Sequence, residues 1–530
     1  MSKSSIKWMR LGLVLVLTLM LLPSAQGTYA IEAAGPIAQS NPVDQSGADD
    51  ADAPDHSFYL PAISGPGSQT ATSNPTAASL TDTTTGGTIF LPLAASGATS
   101  NAAEPVAVVQ SAANTTNPVG IVCTYGASPN PTFTLTAKDG YITLPDGNTA
   151  YMWGYSEGSN GFQHPGPVLC VNKGDTVTVV LQNTLSEDVS IVFPGHENVL
   201  ANGVQAQPQF SSGVLTSLTN VAAPGGSVTY SFVAGEPGTY LYESGANPRK
   251  QVSMGLFGAL IVRPTAVPTL PAAGPDANPA HYAYDRSDSV FMPQEEFMVL
   301  LSEIDPYQHQ AAENGVPYNL NNYKPRYWLI NGRGFPDSIA DNFASWLPTQ
   351  PYGALARVHE FHPNETLSPS DPNYHPYPGM IRYLNVGTED YPFHPHGNNG
   401  LVIGRDGRAL AGAGGEDLSF EKFDINIGPG QTWDVIFKWY DAEHYNPTTN
   451  PVPVTVPNLP NMVYGTFYGG SPYLGSTGTI PTGGEGLNQC GEFYIISHNH
   501  ALYQITSWGV NMTGPITYLR VDPPLPNNCP

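Results

Sequence analysis

The sequence predicts an all-β chain: two antiparallel β-sandwich domains behind a disordered N-terminal stalk. Three observations carry that prediction. From residue 119 onward, β-branched and aromatic stretches recur between Gly-, Pro- and Asn-rich turns. The first half has no convincing stretch with the apolar period of an amphipathic helix. The strand pattern of residues 119–265 returns in residues 290–522, which marks an internal duplication.

Taken in order, residues 1–27 read as a secretory signal. Lys3, Lys7 and Arg10 form a basic start, an apolar run follows at residues 11–22, and Ser24-Ala25-Gln26-Gly27 supply small or polar residues. The apolar run is short for a membrane span, with an uncleaved anchor as the alternative. Residues 28–118 are rich in Ala, Thr, Ser and Gly and read as a flexible stalk. Two apolar islands in it, at residues 58–63 and 89–93, read equally as a repeated docking element or as incidental clusters.

The first sandwich is expected at residues 119–265. Asp139-Gly140 and Asp146-Gly147 are hairpin signals, and Lys173-Gly174-Asp175 breaks a long β-branched run. A linker at 266–289 leads to the second sandwich at 290–522, which carries a Gly-, Pro-, Thr- and Tyr-rich insertion at about 441–490. Two pairs of segments illustrate the repeat. Pro224-Gly225-Gly226-Ser227-Val228 resembles Pro429-Gly430-Gln431-Thr432-Trp433, and Val192-Phe193-Pro194-Gly195 lines up with His394-Pro395-His396-Gly397.

The formal charge is −24, and removal of the three basic residues of the signal takes it to −27. Nucleic acid is excluded as a natural partner, because phosphate contacts need Lys and Arg. Cations are attracted to such a field, and extracellular solubility is its plain use. The cysteines are Cys123, Cys170, Cys490 and Cys529, none in a CxxC, so disulfides are expected in an oxidising compartment. Pairing within each half, Cys123 with Cys170 and Cys490 with Cys529, is the economical arrangement; the other two pairings stay open.

The chemistry lies in two His-x-His pairs, His394 with His396 and His498 with His500. Alternate residues of a strand share a face, so each pair aims two imidazoles the same way. On neighbouring strands the four would converge on a patch able to hold a metal ion.

Several segments together resemble a multicopper oxidase built from cupredoxin domains of Greek-key topology. They are Gly166-Pro167-Val168-Leu169 with Gly174-Asp175-Thr176-Val177, residues 237–242 with 254–262, Leu329-Ile330-Asn331-Gly332-Arg333, Ile381-Arg382-Tyr383-Leu384-Asn385, and Ile403-Gly404-Arg405-Asp406-Gly407. The resemblance covers residues 119–522 and implies a trinuclear copper cluster built from four His-x-His pairs, two from each of two domains. The second half keeps its pairs. In the first half the matching positions are Val192, Pro194, Glu243 and Gly245. The family's blue (type 1) copper site is altered as well. Its histidine before Pro corresponds to Tyr391, its thiolate to Asn499, its later histidine falls near Gln504, and its axial position falls near Gly509 with Met512 close by.

The expected function is therefore that of a secreted, extracellular or cell-surface metalloprotein. Copper is the expected ion at His394, His396, His498 and His500, and zinc is the competitor. Any oxidoreductase activity would be atypical and would proceed without a blue site. The alternative is a metal-free structural or binding module on the same scaffold, attached to a surface through the stalk. Assembly into a homo-oligomer is a further expectation carried by the resemblance. His359 and His362, near Glu360 and Glu365, read as a polar loop. His196 and Glu243 are secondary candidates, and His164 and His375 precede prolines and receive no role. Asn114, Asn364 and Asn511 open Asn-x-Thr triplets.

Overall fold

The computed structural model describes residues 119–266, 281–361, 367–368, 370–396, 399–440, 493–507, 512–522 and 525. The expected signal, stalk and apolar islands, Asn114, Asn364, Asn511, Cys490, Cys529, Gly509 and the insertion at 441–490 lie outside the described residues.

The first sandwich has two sheets. One runs Cys123–Tyr125, Val168–Asn172, Phe257–Arg263, Gly238–Glu243 in order of adjacency. The other runs Thr149–Glu157, Thr132–Thr143, Thr176–Asn183, Ser227–Val233, then the short Leu200–Ala201 and Val204–Gln205. Ser227–Val233 shows why such a stretch is a strand. Val228, Tyr230 and Phe232 are buried while the residues between them face outward, the period-2 pattern of a sheet with one dry face. Lys173-Gly174-Asp175 lets the chain leave one sheet for the other, with Gly174 in the left-handed region at φ 87°. The Asp175 carboxylate accepts the Asn172 amide at 2.8 Å, which fixes the turn.

The second sandwich repeats this plan. Its larger sheet runs Tyr327–Ile330, Glu296–Ile304, Gly379–Asn385, Thr432–Phe437, Gly400–Arg405, Arg408–Ala409, with Phe420–Lys422 also on Gly400–Arg405. The other runs Ala356–Val358, Ile516–Val521, Phe493–Asn499, Tyr391–Pro395, Ile425–Ile427. Both larger sheets begin with the same sequence of partners. Thr132–Thr143 runs parallel to Thr176–Asn183 as Glu296–Ile304 does to Gly379–Asn385.

Two local expectations are corrected. Asp139-Gly140 is not a turn but lies inside Thr132–Thr143. A Cβ at Gly140 would sit 2.3 Å from the Phe162 ring, so glycine is there to admit that ring. The hairpin forms at Asp146-Gly147 alone, closed by Leu144 N–H to the Asn148 carbonyl at 2.9 Å. The sheets are also mixed rather than purely antiparallel, because crossovers between sheets return strands beside non-sequential neighbours. Cys123 and Cys170 form the expected disulfide, stapling the first strand to Val168–Asn172.

The two sandwiches share a core. Val168, Cys170, Leu241, Phe257, Ala259 and Ile261 of the first pack with Met298, Leu300, Leu384 and Val386 of the second. That is why Phe257–Arg263 and Glu296–Ile304 are buried on both faces instead of alternating. Beside this core lies a buried ionic cluster. Arg382 donates to Glu296 at 2.6 Å, to Thr239 at 2.8 Å and to Asp434 at 3.3 Å, and Arg263 donates to Glu296 at 2.7 Å. Burial alone would raise Glu296, but Arg263 and Arg382 outweigh it and hold the carboxyl down to about 2. His164 is fully buried among Phe257, Gly255 and Gly332, with its ring centroid 5.2 Å from that of Phe257. Burial pushes it down to about 3, so it stays neutral packing material.

Candidate metal centre

Tyr391–Pro395 and Phe493–Asn499 are antiparallel neighbours. Their register sets Phe393 opposite Asn499, His394 opposite His498 and Pro395 opposite Ser497. Tyr391 and Phe393 point into the core of the second sandwich, so the alternate residues His394 and His396 point to the other face. His498 lies on that same face, and His500 follows one residue beyond the strand end. The structure thus brings the four predicted histidines together. Ring centroids are 4.7 Å apart for His394 and His396, 5.0 Å for His396 and His498, 5.2 Å for His394 and His500, and 5.5 Å for His498 and His500.

The hydrogen bonds sort the ring nitrogens. His394 Nδ1 donates to the Phe423 carbonyl at 2.8 Å and His498 Nδ1 to the Asn499 carbonyl at 2.8 Å. A carbonyl can only accept, so in both rings the proton sits on Nδ1 and Nε2 keeps its lone pair. A partner on the remote nitrogen is what orients metal-bound imidazoles in general. His396 Nε2 and His498 Nε2 approach to 3.0 Å. Burial, and then the neighbouring imidazoles, pushes His396 below the ordinary histidine value. Burial does the same to His498 against the opposing hydrogen bond from Asn499. Both are kept in the neutral, ligand-competent form.

The matching place in the first sandwich has the same backbone and none of the chemistry. Val192 and Glu243 form an antiparallel bridge, with Val192 N–H to Glu243 O at 2.8 Å, as His394 and His498 do in the second. A Cβ at Gly245 would fall 2.7 Å from Val192 Cγ1 and 3.2 Å from Leu218 Cβ, so apolar atoms fill the space. His196 packs between Tyr240 and Phe232, with centroids at 4.5 and 4.7 Å, and burial pushes it down to about 4.

Comparison with known proteins agrees with this architecture. Residues 136–267 match the multicopper oxidase family. Over 284 residues the chain is 30% identical to a probable nitrite reductase–hydroxylamine oxidoreductase fusion protein of Kuenenia stuttgartiensis, covering 50% of this chain and 26% of that one. It is 31% identical over 195 residues to an L-ascorbate oxidase of Cucurbita maxima, covering 36% of this chain and 28% of the relative. The family match and the curated relatives together show similarity to multicopper oxidases. The chain spans less than a third of the length of these curated relatives. Among solved structures it is similar to the multicopper oxidase mgLAC at 19% identity and TM-score 0.46, over 74% of this chain and 86% of that one.

The family that residues 136–267 match implies copper as its cofactor. The donor set fits a copper ion at the four imidazoles, which are nitrogen ligands, two of them (His394 and His498) with the remote nitrogen tied to a carbonyl. It does not fit a blue site. At the blue-site positions Tyr391 donates to Glu303 at 2.6 Å, Asn499 donates to Gln504, and Gln504 donates to Glu389 at 2.6 Å. Tyr391, Asn499 and Gln504 are fully buried and bound to one another's neighbours, with no sulfur among them. Burial pushes Glu303 above the usual carboxylate range, and Thr388 and Tyr391 hydrogen-bond it in compensation.

A second cluster was not legible in the sequence. His359 and His375 both meet Glu295, whose ligand atoms lie with theirs inside 4.8 Å. His359, expected in a polar loop near Glu360, and His375, given no role from the sequence, meet at this carboxylate through long-range contacts. His362 and Glu365 lie outside the described residues.

Proposed function

We propose that this chain is a secreted copper protein that holds the ion through His394, His396, His498 and His500 and has no blue copper centre. The observation that supports this most is the pairing of His394 with His498 across the sheet, each with Nδ1 spent on a backbone carbonyl so that Nε2 carries the lone pair. Four imidazoles of one sandwich are half of the family's cluster, so fewer ions are held, at positions open to solvent on the His396 and His500 side. A copper ion there supplies Lewis-acid or one-electron chemistry. The protein residues hold neutral nitrogens in place, and Phe423 and Asn499 carbonyls fix the ring orientations. The Asn499–Gln504–Glu389 chain supplies no thiolate at the blue-site positions, where the electron entry of a laccase would need one.

Elemental analysis tests the reading. Protein purified with excess copper and freed of loose ions should carry about one copper more per chain than His498→Ala/His500→Ala, as expected when half of an imidazole site is removed. It should show no intense band near about 600 nm, the copper–thiolate region. Equal copper in both proteins would favour the metal-free scaffold instead.

A further inference from the structure

We infer that Glu295, His359 and His375 form a second metal site, a two-histidine, one-carboxylate set for a divalent first-row transition ion, separate from the four-histidine patch. The three residues come from three different elements. Glu295 ends the single 3-10 turn Pro293–Glu295, His359 follows the strand Ala356–Val358, and His375 precedes the strand Gly379–Asn385. Each support is tied down. Glu295 N–H bonds the Met292 carbonyl at 2.9 Å, Met292 N–H bonds Pro378 O at 2.9 Å, and Tyr374 N–H bonds Asp371 O at 3.0 Å. A Cβ at Gly379 would already press on Glu295 at 3.2 Å, so the carboxylate has a fixed seat.

Geometry at the carboxylate points to a cation. His359 Nδ1 hydrogen-bonds Oε1 of Glu295 at 2.8 Å, and His375 Nε2 lies 3.0 Å from the same oxygen. At bond lengths of about 2.1 Å such separations correspond to nitrogen–metal–oxygen angles of roughly 85–90°, the angle between neighbouring positions of an octahedron. The His359 amide also donates to that oxygen, at 2.7 Å, and holds it in place. His375 Nε2 is buried and, despite its 3.0 Å approach, makes no hydrogen bond of acceptable angle. A buried imidazole nitrogen facing a carboxylate oxygen without a proton aligned between them is what a shared cation would satisfy.

Charge agrees. Glu295 is 2% exposed, and a buried carboxylate needs positive charge beside it. The nearby Asp522 is already met by Arg357 at 2.5 Å and Arg520 at 2.6 Å. Glu295 faces imidazoles instead, and an ion between them would neutralise it. The His359 side chain is 53% exposed, so the site opens to solvent on one side and ions can enter there. Three protein ligands with one open side leave further positions to water, as in other two-histidine, one-carboxylate sites.

Cobalt is the probe, because it takes six-coordinate nitrogen and oxygen sites and reports its ligands by absorption. The full chain carrying His498→Ala/His500→Ala is stripped of metal, loaded with Co2+ and desalted. It should retain about one Co2+ per chain and melt at a higher temperature with Co2+ than without. Adding Glu295→Gln, which keeps the shape, or His359→Ala, which changes an exposed ring, should weaken binding by at least about tenfold and abolish the melting shift. Equal retention and equal shifts with and without Glu295→Gln and His359→Ala would overturn the site. The four-histidine reading is tested separately, by the ion lost between wild type and His498→Ala/His500→Ala.

Discussion

In the first sandwich Val192 stands opposite Glu243; in the second, His394 stands opposite His498. The backbones make the same antiparallel contact, and the side chains do opposite things. Where the second sandwich gathers four imidazoles, the first fills the space over Gly245 with Val192 and Leu218. That difference teaches that the first half is packed as a scaffold, whereas the second retains an arrangement whose polarity packing does not explain. A sandwich needs only a dry inner face, and the face carrying the histidines is the outer one.

The comparison assumes that both halves stand on one shared core, and the largest effect comes from breaking it. Arg382→Met would leave Glu296 and Asp434 facing each other in the interior with one guanidinium fewer. It should cost about 3–5 kcal/mol by urea unfolding. The same cluster sets an acid limit. Glu296 is held at about 2, below the ordinary glutamate value near 4.5, so its stabilisation is full above 4.5 and is lost as pH falls toward 2. An acid titration of wild type should show that loss, and Glu296→Gln should flatten it.

Next comes the filled pocket. Gly245→Val would drive a side chain into Val192 and should destabilise by about 1–3 kcal/mol in urea unfolding. A near-zero effect would show that the first half is loosely packed and that its lost ligands left a cavity. Tyr391→Phe should cost about 1.5–3 kcal/mol, because the buried Glu303 loses a hydrogen bond to its charged form. The smallest effect belongs to the second half. His396→Ala removes an exposed ring from the patch and should shift metal-free stability by no more than about 0.5 kcal/mol.

Much of this was legible in the sequence, for physical reasons that differ by element. Strands such as Ser227–Val233 declare themselves because one face is dry and the other wet. The His-x-His pairs were readable because two residues two apart share a face whatever the tertiary structure does. Asp139-Gly140 misled because glycine in a strand, placed for the Phe162 ring, looks the same as glycine in a turn. The Glu295 cluster was invisible because His359 lies 64 residues from its carboxylate, and nothing local announces that contact. His375 before Pro376 carries the signature of a turn and nothing of a partner.

The most direct measurement sets the two halves against each other. Metal-free wild type, Val192→Ala/Glu243→Gln and His498→Ala/His500→Ala would each be titrated with copper by calorimetry. Wild type and the first-sandwich variant should bind copper alike, and the second-sandwich variant should lose about one tight site per chain, as the imidazole chemistry requires. Loss of copper in the first-sandwich variant, or identical titrations in all three proteins, would contradict the account.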